Sequence, residues 1–145
     1  DVAISIGQKL PNAEVVVVTT PQAAAAEVAE RAGTMASMMK QKVIGVVENM
    51  AWLETPDGER MEIFGSGGGQ HTADALTRRL GYDVPLMSQV PLDPKVRESG
   101  DEGVPIVAAD DAAENTSAQE FAKIAETLDK KGRSLAGLQL GVTPT

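Results

Sequence analysis

Two runs of β-branched residues limit what this chain can become more than any other feature: Glu14-Val15-Val16-Val17-Val18-Thr19-Thr20 and Lys42-Val43-Ile44-Gly45-Val46-Val47-Glu48-Asn49. Stretches that stay apolar at successive positions, rather than at every second one, suit strands buried on both faces. Between them, residues 22–39 are rich in Ala and Met and read as one long helix. Thr20 is placed to cap that helix, and Pro21 suits its first position, where a missing N–H is not needed. Strand, helix and strand within roughly 35 residues is the size of a right-handed βαβ unit. Such units build parallel sheets. The expected fold is therefore α/β, part of a doubly wound, mostly parallel sheet with flanking helices.

The other segments fit around such a sheet. Val2, Ile6 and Leu10 recur at helical spacing before Pro11-Asn12 breaks the pattern. Thr55-Pro56-Asp57-Gly58 is a strong turn signal that can join two short strands, the second within 60–64. Gly65-Ser66-Gly67-Gly68-Gly69 leads into a helix over 70–80 that Gly81 closes. Residues 84–90 read as a third strand, 95–99 as a short helical turn, 100–105 as loop, and Ile106-Val107 as a short edge strand. Over 117–131, Phe121, Ile124, Ala125 and Leu128 share one helical face, and Gly132 suits the cap. Residues 132–145 read as a flexible tail.

Composition removes several function classes. The net charge is −8, with 13 basic residues scattered among 21 acidic ones. Nucleic acid and anionic membranes need clustered Lys and Arg, so neither is expected as a partner. There is no Cys, which excludes disulfides, thiolate nucleophiles and Cys-ligated metals in this chain. That fits a cytoplasmic protein. No apolar run is long enough to span a bilayer, and Asp1-Val2-Ala3-Ile4 lacks the basic start of a signal peptide.

The glycine cluster invites a phosphate-binding reading and fails it. Counted from Gly65, the second required Gly of a P-loop is Gln70 and the Lys is His71. The dinucleotide pattern lacks its third Gly at the same place. A turn running into a helix N-terminus accounts for the cluster better. His71 is the only His and has no companion ligands, so a surface or capping role is favoured over metal binding. Trp52 reads as a core or loop anchor ahead of an interface contact. Asn49 ends a buried strand, and ligands of open parallel sheets sit beyond the C-terminal strand ends. Its amide could pair with a purine edge, although Asn is also a common turn residue there.

Five segments in register carry a resemblance. They are Val17-Val18-Thr19-Thr20-Pro21-Gln22, Gly45-Val46-Val47-Glu48-Asn49-Met50, Ile63-Phe64-Gly65 with Gly67-Gly68-Gly69, Val90-Pro91-Leu92-Asp93-Pro94, and Arg97-Glu98 through Ile106-Val107. In this order and spacing they resemble the Mrp-type P-loop ATPases, a family of iron–sulfur cluster carriers, over roughly residues 1 to 107. Asp1 fits as the last residue of that family's Pro-Pro-Gly-Thr-Gly-Asp segment. The resemblance makes residues 1–131 the C-terminal portion of one P-loop ATPase domain. It implies ATP with magnesium as cofactor in the parent protein, a homodimer, and iron–sulfur client proteins as partners. It implies that Asn49 contacts the adenine, that Pro91, Leu92 and Asp93 form the loop against base and ribose, and that Thr20, Pro21 and Gln22 lie near the nucleotide.

Two departures follow. The family's P-loop and magnesium-binding segments precede the position of Asp1, so this chain alone is not expected to hydrolyse ATP. The family's Cys-x-x-Cys is replaced here by Trp52 to Glu59, so those cluster ligands are missing. A non-catalytic partner-binding or dimerisation module is the alternative reading.

Overall fold

The computed structural model describes residues 2–135; the expectations for Asp1 and for 136–145 lie outside the described residues. The chain runs α1 (Val2–Lys9), β1 (Val15–Thr19), α2 (Ala23–Met38), β2 (Val43–Glu48), β3 (Leu53–Glu54), β4 (Arg60–Met61), α3 (Gly68–Leu80), β5 (Leu86–Gln89), α4 (Pro94–Glu102) and α5 (Thr116–Leu135). Two 3-10 turns, Ile106–Ala108 and Ala112–Glu114, connect α4 to α5.

The main sheet has the order β1-β2-β5 and is parallel throughout. The expected βαβ unit is β1-α2-β2, and the expected hairpin is the antiparallel pair β3-β4, with Leu53 opposite Met61. The helices α2 and α3 pack on each other and on β1 and β2, while α5 packs on β5. The core joins Val17, Ala29, Ala36, Val43, Val46, Ala73, Leu76 and Val84. The chain carries two Phe, one Tyr and one Trp, and its core is built mainly from small aliphatic side chains. Tyr82 reaches the sheet by accepting a hydrogen bond from the Val43 N–H through its hydroxyl at 3.0 Å.

Several local expectations give way to tertiary contacts. Every residue of β2 is buried, but β1 is an edge strand and Val18 is 62% exposed. Burial on both faces needs cover on both sides, and among the described residues β1 lacks it. The α1 stripe forms as the spacing predicts, yet Val2, Ile6 and Leu10 remain exposed. Thr20 does not cap α2. Gln22 occupies the N-cap with no side-chain bond, and the Thr20 hydroxyl is buried without a partner. The Thr20 and Pro21 carbonyls abut the start of α3.

The short turn expected at 95–99 is a nine-residue helix, and it runs through 100–102, which were expected as loop. Asp93 caps its start and Gly103, with φ 74°, ends it. Ile106 lies in a 3-10 turn and is buried, where an edge strand was expected. Its turn packs against α4 and α5. Gly132 does not end the last helix, which continues to Leu135. A single Gly costs a helix only about 1 kcal/mol.

Candidate functional site

The C-terminal ends of the three parallel strands lie side by side, so the segments that follow them become neighbours. Thr20, Pro21 and Gln22 follow β1, Asn49 follows β2, and Pro91, Leu92 and Asp93 follow β5. Backbone bonds fix this arrangement. The Asn49 N–H donates to the Thr19 carbonyl at 2.7 Å, and the Val90 N–H donates to the Glu48 carbonyl at 2.8 Å. The pairing continues past the strands, with Ala51 N–H to Val90 O at 3.0 Å and Leu92 N–H to Trp52 O at 2.7 Å. Asn49 and Pro91 each adjoin a residue of one bonded pair, which holds their Cα atoms within about 10 Å.

Asn49 is exposed and uses its side-chain oxygen locally, accepting from the Met50 N–H at 2.9 Å. Met50 follows at φ 55°, a left-handed conformation unusual for a side chain of that size. Pro21 is buried, Thr20 half-buried and Gln22 exposed.

Asp93 has a definite structural task. One carboxylate oxygen accepts from the Lys95 N–H at 2.9 Å, and the other accepts from the Asn115 side-chain amide at 2.8 Å. Asn115 in turn accepts from the Ala118 N–H at 2.9 Å, so one pair of side chains caps both α4 and α5. Replacing Asp93 with Ala removes both bonds, and an expected loss of about 1–2 kcal/mol follows from capping values. Asp93→Asn, which keeps an acceptor for Lys95, should lose less; thermal unfolding of the three proteins checks the order.

A cleft of about 530 Å³ opens beside Asp93, between the hairpin turn at Thr55-Pro56, the Pro91–Asp93 loop and the segment from Asp111 to Thr116. Asn49, Thr20, Pro21 and Gln22 do not line it. Its charged residues are Glu54, Asp93, Asp111, Glu114 and Lys95. Lys95 is bound to Asp111 at 2.6 Å. That hydrogen bond, then the mutual Coulomb attraction, raises the Lys95 pKa and lowers that of Asp111. The cleft therefore carries net negative charge and disfavours phosphate groups.

The glycine cluster serves close packing. Gly65 and Gly67 both take φ 85°, which turns the chain sharply into α3. A Cβ on Gly68 would lie 2.5 Å from the carbonyl oxygens of both Thr20 and Pro21, and one on Gly69 would lie 2.6 Å from the Glu48 Cβ. The end of α3 thus sits directly on the ends of β1 and β2. Among the described residues, no group of three or more His, Cys, Asp or Glu could hold a metal ion.

Comparison with known proteins decides the family. Residues 1–129 match the family described as ParA, the NUBPL iron-transfer P-loop NTPases. The chain belongs to this family. It is 52% identical over all 145 residues to the iron–sulfur cluster carrier protein of Mycobacterium leprae, covering 37% of that protein. It is 38% identical over 133 residues to the iron–sulfur cluster carrier protein of Synechocystis, spanning 90% of this chain and 35% of that protein. The chain thus spans well under half the length of these relatives and matches their C-terminal part.

Among solved structures, an Archaeoglobus fulgidus nucleotide-binding protein in complex with ADP aligns with TM-score 0.54 and 35% identity, over 69% of this chain and 39% of that one. The cell division ATPase MinD of Pyrococcus furiosus aligns with TM-score 0.60 and 24% identity, over 81% of this chain and 42% of that one, a likeness of fold.

Within this P-loop NTPase family member, reasoning from sequence missed Glu48. It is 1% exposed at the end of the central strand and accepts from the Gly69 N–H and from the Gln89 side-chain amide, the latter at 3.0 Å. An acidic residue closing an otherwise apolar buried run was the signal available. No helix among the described residues is long and apolar enough to cross a membrane.

Proposed function

We propose that this chain is the base-binding portion of an ATP-dependent iron–sulfur cluster carrier of the P-loop NTPase family. The observation that carries this reading is the side-by-side placement of Thr20–Gln22, Asn49 and Pro91–Asp93 at the C-terminal edge of one parallel sheet. Open α/β sheets bind ligands at that edge. The purine lies against Asn49 and the Pro91-Leu92 backbone, with the Asn49 amide swinging from its local bond to Met50 onto the base edge. The acidic cleft beyond Leu92 sets the orientation: the phosphates run away from it, toward β1.

The residues present fit a base and not its phosphates. No P-loop pattern occurs in the sequence, and hydrolysis of ATP with magnesium belongs to the whole carrier. The cluster is cargo, and this chain offers no Cys to hold it. In that carrier the chain acts in the cytoplasm, as part of a homodimer that hands clusters to iron–sulfur clients.

Titration of the chain with a fluorescent ATP analogue, beside Asn49→Ala, tests the reading. The expected result is weak binding that falls about tenfold in the variant, the effect of losing one well-placed hydrogen-bonding group. Equal binding by both proteins would remove Asn49 from the site. The alternative, a non-catalytic partner-binding or dimerisation module, draws on the exposed Val2 and Ile6 of α1 and Leu10 just beyond it. It gains if nucleotide binding is absent and light scattering shows a dimer.

A further inference from the structure

Glu48 is a buried carboxylate. It is 1% exposed, and among the described residues no ion pair includes it. Its two hydrogen bonds come from neutral donors, the Gly69 N–H and the Gln89 amide. Burying a carboxylate this way is costly unless the donors are well aimed. The Gly69 N–H belongs to the first turn of α3, where unpaired N–H groups and the helix dipole favour negative charge. Gly67, the N-cap of α3, offers no side chain of its own. Glu48 therefore performs across space the task an N-cap side chain performs locally.

The position of this clamp matters. Glu48 precedes Asn49, and Gly68, beside its partner Gly69, abuts the Thr20 and Pro21 carbonyls. The same contact thus holds the glycine turn, the Thr20-Pro21 turn and the base of Asn49 in one arrangement. We infer that Glu48 is a positioning residue for the nucleotide edge: by clamping the α3 N-terminus to β2, it sets where Asn49 and Thr20–Pro21 stand relative to a bound base. This rests on the nucleotide-binding reading above. The role needs hydrogen-bond acceptors more than charge, because Gly69 and Gln89 are both neutral. A Gln at position 48 can accept from the Gly69 N–H while Gln89 turns its amide over to accept in return.

The test uses the 145-residue chain with Glu48→Gln and Glu48→Ala, read two ways: affinity for a fluorescent ATP analogue, and amide hydrogen exchange at Gly69 and Asn49. The expected result is affinity within about threefold of the parent for Glu48→Gln and a loss of about tenfold or more for Glu48→Ala, with faster exchange at both amides only in the Ala variant. Parent-like affinity in Glu48→Ala overturns the inference, as does a loss in Glu48→Gln as large as that in Glu48→Ala. Should Glu48→Ala fail to fold, Gly69→Ala, which pushes the helix off Glu48, takes its place under the same two readouts. If the parent itself binds no nucleotide, the nucleotide reading falls. The clamp is then judged by exchange alone, and unchanged exchange at Gly69 in Glu48→Ala overturns it.

Discussion

Gly68→Ala is expected to destabilise the chain by about 3 kcal/mol, near the top of the range for overpacking a tight contact. The added Cβ would lie 2.5 Å from the Thr20 and Pro21 oxygens and 2.7 Å from the Pro21 carbonyl carbon. These are backbone atoms and cannot rotate aside. The Thr19 carbonyl, one residue earlier, is already bound to the Asn49 N–H. Relief therefore requires the end of α3 to lift, which would weaken the bond from the Gly69 N–H to Glu48. Alanine's better helix propensity returns at most about 1 kcal/mol. Urea unfolding checks this, with a lower midpoint and an unchanged slope expected. A midpoint equal to the parent's would mean that α3 has room to move and that the glycine is not needed for packing.

Leu76→Ala should cost about 2–5 kcal/mol, because Leu76 is fully buried in the core between α3 and α2. The size within that range depends on whether the neighbours can close the cavity. Gly33 on α2 supplies a direct probe, since a Cβ there would meet the Leu76 Cδ2 at 2.7 Å. Gly33→Ala alone should be harmful or neutral, its clash opposed by the gain in helix propensity. Combined with Leu76→Ala, the clash disappears and the new methyl fills part of the cavity. The double variant should then be more stable than the sum of the single effects by about 1 kcal/mol. Strict additivity in urea unfolding would show that α2 and α3 do not meet through these two residues.

These effects centre on contacts between segments far apart in the chain, which explains how unevenly the sequence could be read. The Val runs at 15–18 and 43–47, split by an Ala-rich stretch, specify a βαβ unit because strand and helix preferences are local and repeated over many residues. The Thr55–Gly58 turn and the Gly81 cap were legible for the same reason: each is decided by the φ/ψ its own residues can adopt. The residues that follow the strand ends were legible as positions and less so in what their side chains do. Asn49 and Pro91–Asp93 could be placed at strand ends, but only the fold shows that Asp93 ties two helix starts together.

By itself, then, the sequence determined the β1-α2-β2 unit, the parallel sheet and the absence of Cys and of a P-loop pattern. The tertiary structure alone decided which glycines are needed for close approach, that Glu48 is buried against α3, and that Val18 is left exposed on β1. The physical reason is that close approach and burial depend on what arrives from elsewhere in the chain. Gly68 meets a carbonyl nearly fifty residues away, and no property of the segment 65–69 records that neighbour.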